Sequence, residues 1–294
     1  MARPALAADR AMQVIDLLVS HPTQQMSLTE IVRSTGINPA SAHALVHALV
    51  AGGYLRRHES HKTYGLGPAL VAAGTVALGQ IPELGHATRE LDALSDELHL
   101  EMVLTVPVGA EILVVARSIH ATAFGPGMHV GQRVPMNPPI GAVFLAFAPA
   151  SEIEAWLDRA GKRLSEDEVA RQRAALASVR DHRYSVMLES PSRRELGSAL
   201  AGPAGQDHLT TFGRVLDQLV RVPYQLEEID PDRAYEVSLV AVPVFDTQRR
   251  AVAAISAMGF PPALPGAELR RVAEALRGRA ALITKRSHGK LPSQ

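Results

Sequence analysis

The chain has 294 residues, of which 47% are hydrophobic and 20% charged, with 30 basic and 30 acidic side chains and no cysteine. At roughly 150 residues per domain, this length predicts two domains with a buried core and excludes a minimal or disordered module. No apolar run reaches the roughly 18 residues a membrane span needs, and the lack of cysteine excludes disulfides and thiolate chemistry.

The opening residues, Met1 to Asp9, match neither a signal nor a transit peptide, so a cytoplasmic protein is expected. Because the charge cancels over the whole chain, attraction for a charged partner must come from uneven distribution. Residues 1–75 hold six Lys or Arg (Arg3, Arg10, Arg33, Arg56, Arg57, Lys62) against four acids (Asp9, Asp16, Glu30, Glu59), a net of +2 that leaves −2 for the rest. Five of the twelve histidines fall in the same stretch.

Asp9 is placed to cap a first helix whose apolar positions Ala11, Val14, Ile15 and Leu18 recur at three and four. Ser27 followed by Glu30 spells a capping box for a second, short helix that ends at Thr35-Gly36. Asn38 as cap and Pro39 at the first position open a third, with Ala42, Leu45, Val46 and Leu49 inward and Gly52-Gly53 as terminator. Tyr54 to Arg57 and Thr63 to Leu66 read as short strands around the polar turn His58 to Lys62.

Three helices followed by a basic ribbon form the winged helix-turn-helix pattern, in which the third helix enters the major groove of double-stranded DNA. The outward face of that helix is Ala40, Ser41, His43, Ala44 and His47. The polar members suit base edges or phosphates, and the alanines suit a thymine methyl. Arg56, Arg57 and Lys62 suit phosphates, which supply affinity rather than discrimination. Arg33, Asn38 and Tyr64 complete the expected contact set. Two other uses of the segment stay open: docking a protein, and a metal held by His43 and His47 at a spacing of four. No acid shares their face, and no metal or cofactor is expected.

Residues 68–80 read as a connecting helix. From Pro82, Leu84, Ala87, Leu91, Leu94 and Leu98 mark another amphipathic helix, followed by alternating segments Met102 to Val106 and Ile112 to Ala116. Helices are expected at 141–147, 151–160 and, behind the capping box of Ser165 and Glu168, 166–181. Strands near 237–244 and 251–258 precede a last helix at 265–285. The pattern is α+β. No nucleophile elbow or phosphate-cradling loop is present, and Glu227, Glu228 and Asp230 read as a solvated stretch, so no enzyme is expected.

The stretch SLTEIVRSTGINPASAHALVHALVAGGYLRRHESHKTYGLGPALVAAG, from Ser27 to Gly74, resembles the DNA-binding module and linker of the IclR (isocitrate-lyase-regulator) family. In that family the recognition helix usually carries a Ser or Thr, an apolar residue, a His or Tyr and an Arg. Here those positions are Ser41, Ala42, His43 and Ala44, so the Arg is missing, and Pro39 stands where a Lys is common. GMHVGQRVPMNPPIGAVFLAF resembles the family's sensor segment through Gly131, Arg133, Pro135 and Gly141, with Asn137-Pro138-Pro139-Ile140 in place of the family's His-Ala-Thr-Ala. Tyr184 to Glu189 and Val240 to Ile255 resemble its closing strands. The fifty residues between Glu189 and Val240 exceed the family's short connection.

The resemblance implies a winged helix-turn-helix domain at 1–67, a linker helix at 68–80 and a GAF-like sensor at 81–294 with an insertion at about 190–236. It also implies a ligand-responsive regulator, with repression among its expected roles, that binds its operator as a homodimer, pairing further into tetramers. The matching pocket positions are Phe124, Met128, Val130, Met136 and Leu145 for apolar surface, with Asn137, Glu189 and Ser256 as polar anchors. The effector it suggests is an aromatic or aliphatic carboxylate. The insertion begins with Ser/Arg/Gly/Pro-rich chain and then offers a helix in QDHLTTFGRVLDQLVRV. The apolar side of that helix suits a lid, a subunit interface or packing on the sheet edge. A sensor that docks a protein partner without binding DNA, or a GAF-like enzyme, are the alternatives.

Overall fold

The computed structural model describes residues 5–120, 128–161, 163–201, 206–221 and 224–292, with backbone alone for 198–201 and 206–212. They divide into two compact units: Met1–Ile81 with Val130–Gln132, and Pro82–His129 with Arg133–Gln294.

The first unit runs α1 (Leu6–Val19), β1 (Met26–Ser27), α2 (Leu28–Thr35), α3 (Pro39–Ala51), β2 (Leu55–His58), β3 (Thr63–Leu66) and α4 (Pro68–Gln80). Its core gathers Val14 and Leu18 of α1, Ile31 of α2, Ala42 and Val46 of α3, and Leu55 of β2. The caps are formed as the residue types demand. Glu30 N–H donates to Ser27 Oγ at 3.3 Å while Ser27 N–H donates to Glu30 Oε2 at 2.7 Å. Ser41 N–H donates to Asn38 Oδ1 at 2.9 Å.

Asp9 corrects the expected cap. The helix starts earlier, behind Ala5 and without a side-chain cap, and Asp9 lies in its first turn, where an acid still complements the positive helix end. The three strands pair antiparallel in the order β1-β3-β2, and Met26↔Tyr64 and Ser27↔Thr63 make up all of β1. Two residues are too few to display a period of two, so this strand left no pattern to read.

The second unit runs α5 (Pro82–Leu98), β4 (Glu101–Val108), β5 (Glu111–Ser118), β6 (Arg133–Pro135), α6 (Ala142–Leu145), α7 (Ala150–Leu157), α8 (Glu166–His182), β7 (Ser185–Leu188), α9 (Pro191–Ala201), α10 (Gln206–Leu219), β8 (Ala234–Tyr235), β9 (Val237–Phe245), β10 (Ala251–Met258), β11 (Leu264–Pro265) and α11 (Gly266–Arg286). Six strands form an antiparallel sheet in the order β6-β5-β4-β10-β9-β7, and β8 pairs with β11 apart from it.

Alternation along the central strands sorts the two faces. Met102, Leu104, Val240, Val242 and Ile255 pack with Leu91 and Leu94 of α5 and with Leu269 and Leu276 of α11. Ala241 and Ala254 point the other way, into a second cluster with Phe144 and Leu145 of α6, Trp156 of α7 and Leu176 of α8. The fold is α+β, with a winged helix-turn-helix and a GAF-like antiparallel domain. No helix among the described residues is long and apolar enough to cross a membrane.

Helix α9 occupies the Ser- and Arg-rich start of the insertion, for which no helix was expected. Pro191 opens the helix, and Arg194, Glu195 and Leu196 are good helix formers. The Ser and Gly residues among them hid the helix. The apolar side of α10 is buried at Val215, Leu216, Leu219 and Val220. The first three join the α6–α8 cluster on the sheet face, together with Leu196 of α9.

Candidate functional site

In α3 the burial of Ala42 and Val46 in the core sets the rotation of the helix. Ala40, His43, Ala44 and His47 are therefore exposed, and Ser41 is half-buried beside them. His43 and His47 stand one turn apart, about 6 Å along the axis. Asn38 is exposed and spends its Oδ1 on the cap. Among the described residues, no three His, Asp or Glu side chains gather where they could hold a metal ion.

The wing places its cations on both sides of the ribbon. Leu55 is buried in the core, and alternation puts Arg57 on that same side and Arg56 on the other, opposite Gly65. Both arginines are exposed, as is Lys62, which sits at the hairpin tip with φ 52°. Arg57 Nη1 lies 3.8 Å from Glu59 Oε2, an exposed pair that offsets part of its charge. Arg33, in the last turn of α2, is exposed. Tyr64 is half-buried and packs on the core, so part of its ring serves folding. Thr63 Oγ1 donates to Gln25 Oε1 at 3.0 Å, which ties the wing to the chain before β1. Sequence reading did not foresee that tie, because its partners are 38 positions apart.

In the second unit, Met136 and Leu145 are buried in the α6–α8 cluster, with half-buried Met128 packed against it. Helix α7 and the turn after it pin the adjoining loop: Arg159 Nε donates to Met136 O at 3.1 Å, and Trp156 Nε1 donates to Ile140 O at 2.9 Å. Gly141 closes the loop at φ 101°, where a Cβ would also stand 2.4 Å from Met136 Cγ. Asn137, within this loop, is half-buried.

Ser256 is buried on β10 and alternates with Ile255 and Ala257, so it belongs to the face opposite α5 and α11. Glu189 follows β7, half-buried, its Oε1 accepting from Ser190 N–H at 2.9 Å. Val130 is 48% exposed and groups with the first unit. Chain proximity to Met128 does not carry it into the α6–α8 cluster. Phe124 lies outside the described residues.

The sheet face adds an unforeseen polar pair. Glu101, on β4, is 2% exposed, and its Oε1 lies 2.7 Å from Arg117 Nε of β5. Burial raises the Glu101 carboxyl above its ordinary range, against the opposing pull of Arg117 and the Met128 backbone. A signal existed, since Glu101 and Thr105 take inward positions of an otherwise apolar strand.

Residues 7–59 match the family described as the IclR helix-turn-helix domain. The chain is similar to IclR-type transcription regulators over nearly its whole length. It is 24% identical over 286 residues to the HTH-type transcriptional regulator XynR of Escherichia coli (strain K12), covering 96% of this chain and 97% of that one. Two solved structures share the fold. The IclR transcriptional regulator of Alicyclobacillus acidocaldarius superposes with a TM-score of 0.71 at 20% identity, covering 97% of this chain and all of that one. An IclR homologue of Microbacterium hydrocarbonoxydans complexed with 4-hydroxybenzoate gives 0.62 at 19% identity, covering 96% and 98%. Both departures from the resembled helix pattern, Pro39 and Ala44, are exposed on α3, away from the core of the first unit.

Proposed function

We propose that this IclR-type regulator binds double-stranded DNA by laying α3 in the major groove and gripping the flanking backbone with the β2–β3 wing. The observation that carries this is the exposure of His43 and His47 on one face of α3 while Ala42 and Val46 hold the opposite face in the core. Ser41, His43, Ala44 and His47 read the groove, and Arg33, Asn38, Arg56, Arg57, Lys62 and Tyr64 meet phosphates.

The protein acts as a homodimer, so that two small interfaces combine on paired half-sites, and dimers pair further into tetramers. Support for a second copy comes from α4, PALVAAGTVALGQ, which carries no charged residue and buries none of its thirteen positions. Val71 is 71% exposed, an apolar stripe that a partner helix would cover.

A small organic acid bound in the second unit modulates DNA binding from the cytoplasm. Met128, Met136 and Leu145 supply apolar surface, Asn137, Glu189 and Ser256 supply polar anchors, and Phe124 takes the wall position implied by resemblance. The neighbour complexed with 4-hydroxybenzoate supports this part of the reading. The domains divide as winged helix-turn-helix at 1–67, linker at 68–80 and sensor at 81–294.

A mobility-shift assay on the DNA upstream of the gene tests the reading. Retarded bands that the combined Arg56→Ala, Arg57→Ala, Lys62→Ala variant weakens are expected. No retardation at low salt, or none lost in the triple variant, overturns it.

A further inference from the structure

The insertion carries an arginine whose Nε is enclosed without a hydrogen-bond partner. Arg193 stands in the first turn of α9, its backbone N–H donating to Ser190 Oγ at 3.1 Å. The residue as a whole is half-buried, but Nε is fully enclosed and has no hydrogen-bond partner. Among the described residues the guanidinium makes no ion pair either. Burial pulls its pKa below the ordinary value, and the charge of Glu189 offsets this only in part. Glu189 itself is engaged with Ser190 N–H. The first turn of a helix is also its positive end, so position adds to the cost of holding a cation there. A guanidinium whose Nε is enclosed without a partner costs stability unless something arrives to pair with it.

The direction of the side chain follows from the helix. Leu196 lies three residues on and so shares the face of Arg193. It is 1% exposed and packs in the cluster that holds Met136 and Leu145. Helix α10 braces α9 from the side, through the Arg214–Glu195 ion pair and Ser192 Oγ donating to Gln218 Oε1 at 3.2 Å. Helix α9 therefore presents Arg193 on the side of Leu196, whose cluster also holds Met136 and Leu145.

We propose that Arg193 is the carboxylate anchor of the effector site, pairing with a small organic monoanion whose apolar body rests near Leu196, Met136 and Leu145. The inference rests on the effector-binding reading above and adds to it the residue and the charge of the ligand. A guanidinium can take both carboxylate oxygens in one fork. The neighbouring Glu189 carboxylate sets the ligand's charge, because a dianion would meet it with net repulsion. The insertion is thereby a part of the binding site as well as its cover.

Calorimetric titration of the full chain with benzoate, pyruvate and the neutral isostere benzamide tests this, in the wild type and in Arg193→Met and Arg193→Lys. Benzoate or pyruvate is expected to bind the wild type at millimolar concentration, and benzamide at least about tenfold more weakly. Arg193→Met should lose acid binding by a similar factor while its melting temperature holds or rises, since an unpaired buried charge is gone. Arg193→Lys should retain part of the binding.

Failure of both acids to bind the wild type, equal binding of benzoate and benzamide, or unchanged acid binding in Arg193→Met each overturns the proposal. Should Arg193→Met not fold, the contrast of acid and amide in the wild type still decides. DNA retardation by Arg193→Met without acid separates the two readings. Retained retardation with lost acid response supports the anchor, whereas a wild type that binds benzoate but no DNA sinks the regulator reading and leaves the anchor standing.

Discussion

Arg56 and Arg57 are consecutive in β2 and project to opposite sides of the wing, Arg57 on the side of buried Leu55 and Arg56 across from Gly65. Arg57 shares its charge with Glu59 at 3.8 Å, while Arg56 has no such neighbour in the strand pairing. The two cations are thus unequal despite identical chemistry. Arg56→Ala should weaken DNA binding more than Arg57→Ala, each lost phosphate contact reducing the salt slope by about 0.9. Glu59→Gln should tighten binding. Fluorescence anisotropy across a salt series reads all three, and equal slopes in wild type and Arg56→Ala would contradict the assignment.

His43 and His47 occupy the exposed side of α3, where a groove-reading residue must stand. His43→Ala and His47→Ala should each cost about 1 kcal/mol on the operator, about fivefold in affinity, and leave binding to unrelated DNA nearly unchanged. Competition between operator and scrambled duplex measures that ratio. A loss equal on both duplexes would assign the imidazoles to phosphates instead.

Gly67 joins wing to α4 where no side chain fits. A Cβ there would stand 2.2 Å from Gly53 O, and Gly67 N–H donates to Tyr54 O at 2.8 Å. Gly67→Ala should destabilise the first unit by about 1–3 kcal/mol through overpacking and backbone displacement. Thermal melts followed by circular dichroism should show an earlier transition.

Val71 and Val76 of α4 are exposed, so a charge at either leaves the core of the first unit intact. Val71→Asp with Val76→Asp should convert the proposed dimer to monomer in sedimentation velocity and reduce operator affinity, with the melting of the second unit unchanged.

Glu90 of α5 accepts from Arg279 and, at 2.7 Å, from Arg286 Nη1, both on α11. The Arg279 hydrogen bond, opposed by burial and reinforced by the charges of both arginines, holds the Glu90 carboxyl below its ordinary value of 4.5. For a depressed acid, the stabilisation is fully present above the unfolded value and is lost as pH falls through the folded one. Glu90→Gln should therefore cost about 1 kcal/mol at neutral pH, and the difference from wild type should shrink to nothing on acidification. Urea unfolding at neutral and acidic pH measures it.

The legible elements were those with local signatures. Ser27 with Glu30, Ser165 with Glu168, and Asn38 with Pro39 are short-range chemistry, and each formed as written. Alternation located β4 and β5. Elements whose reason lies elsewhere in the chain escaped: β1 exists through pairing with β3, and α9 lies among residues that suit a loop equally well. The Glu101–Arg117 pair spans two strands, and neither residue announces the other.

What the sequence determined by itself was the kind of each module and the outward side of α3, because capping, helical period and turn chemistry act within a few residues. Only the tertiary structure decided which arginine of the wing is partly neutralised, that Val130 stands outside the second unit's core, and that the Nε of Arg193 is enclosed without a hydrogen-bond partner. Those outcomes are set by burial and charge contributed by segments far apart in the chain, and such contacts have no period along it.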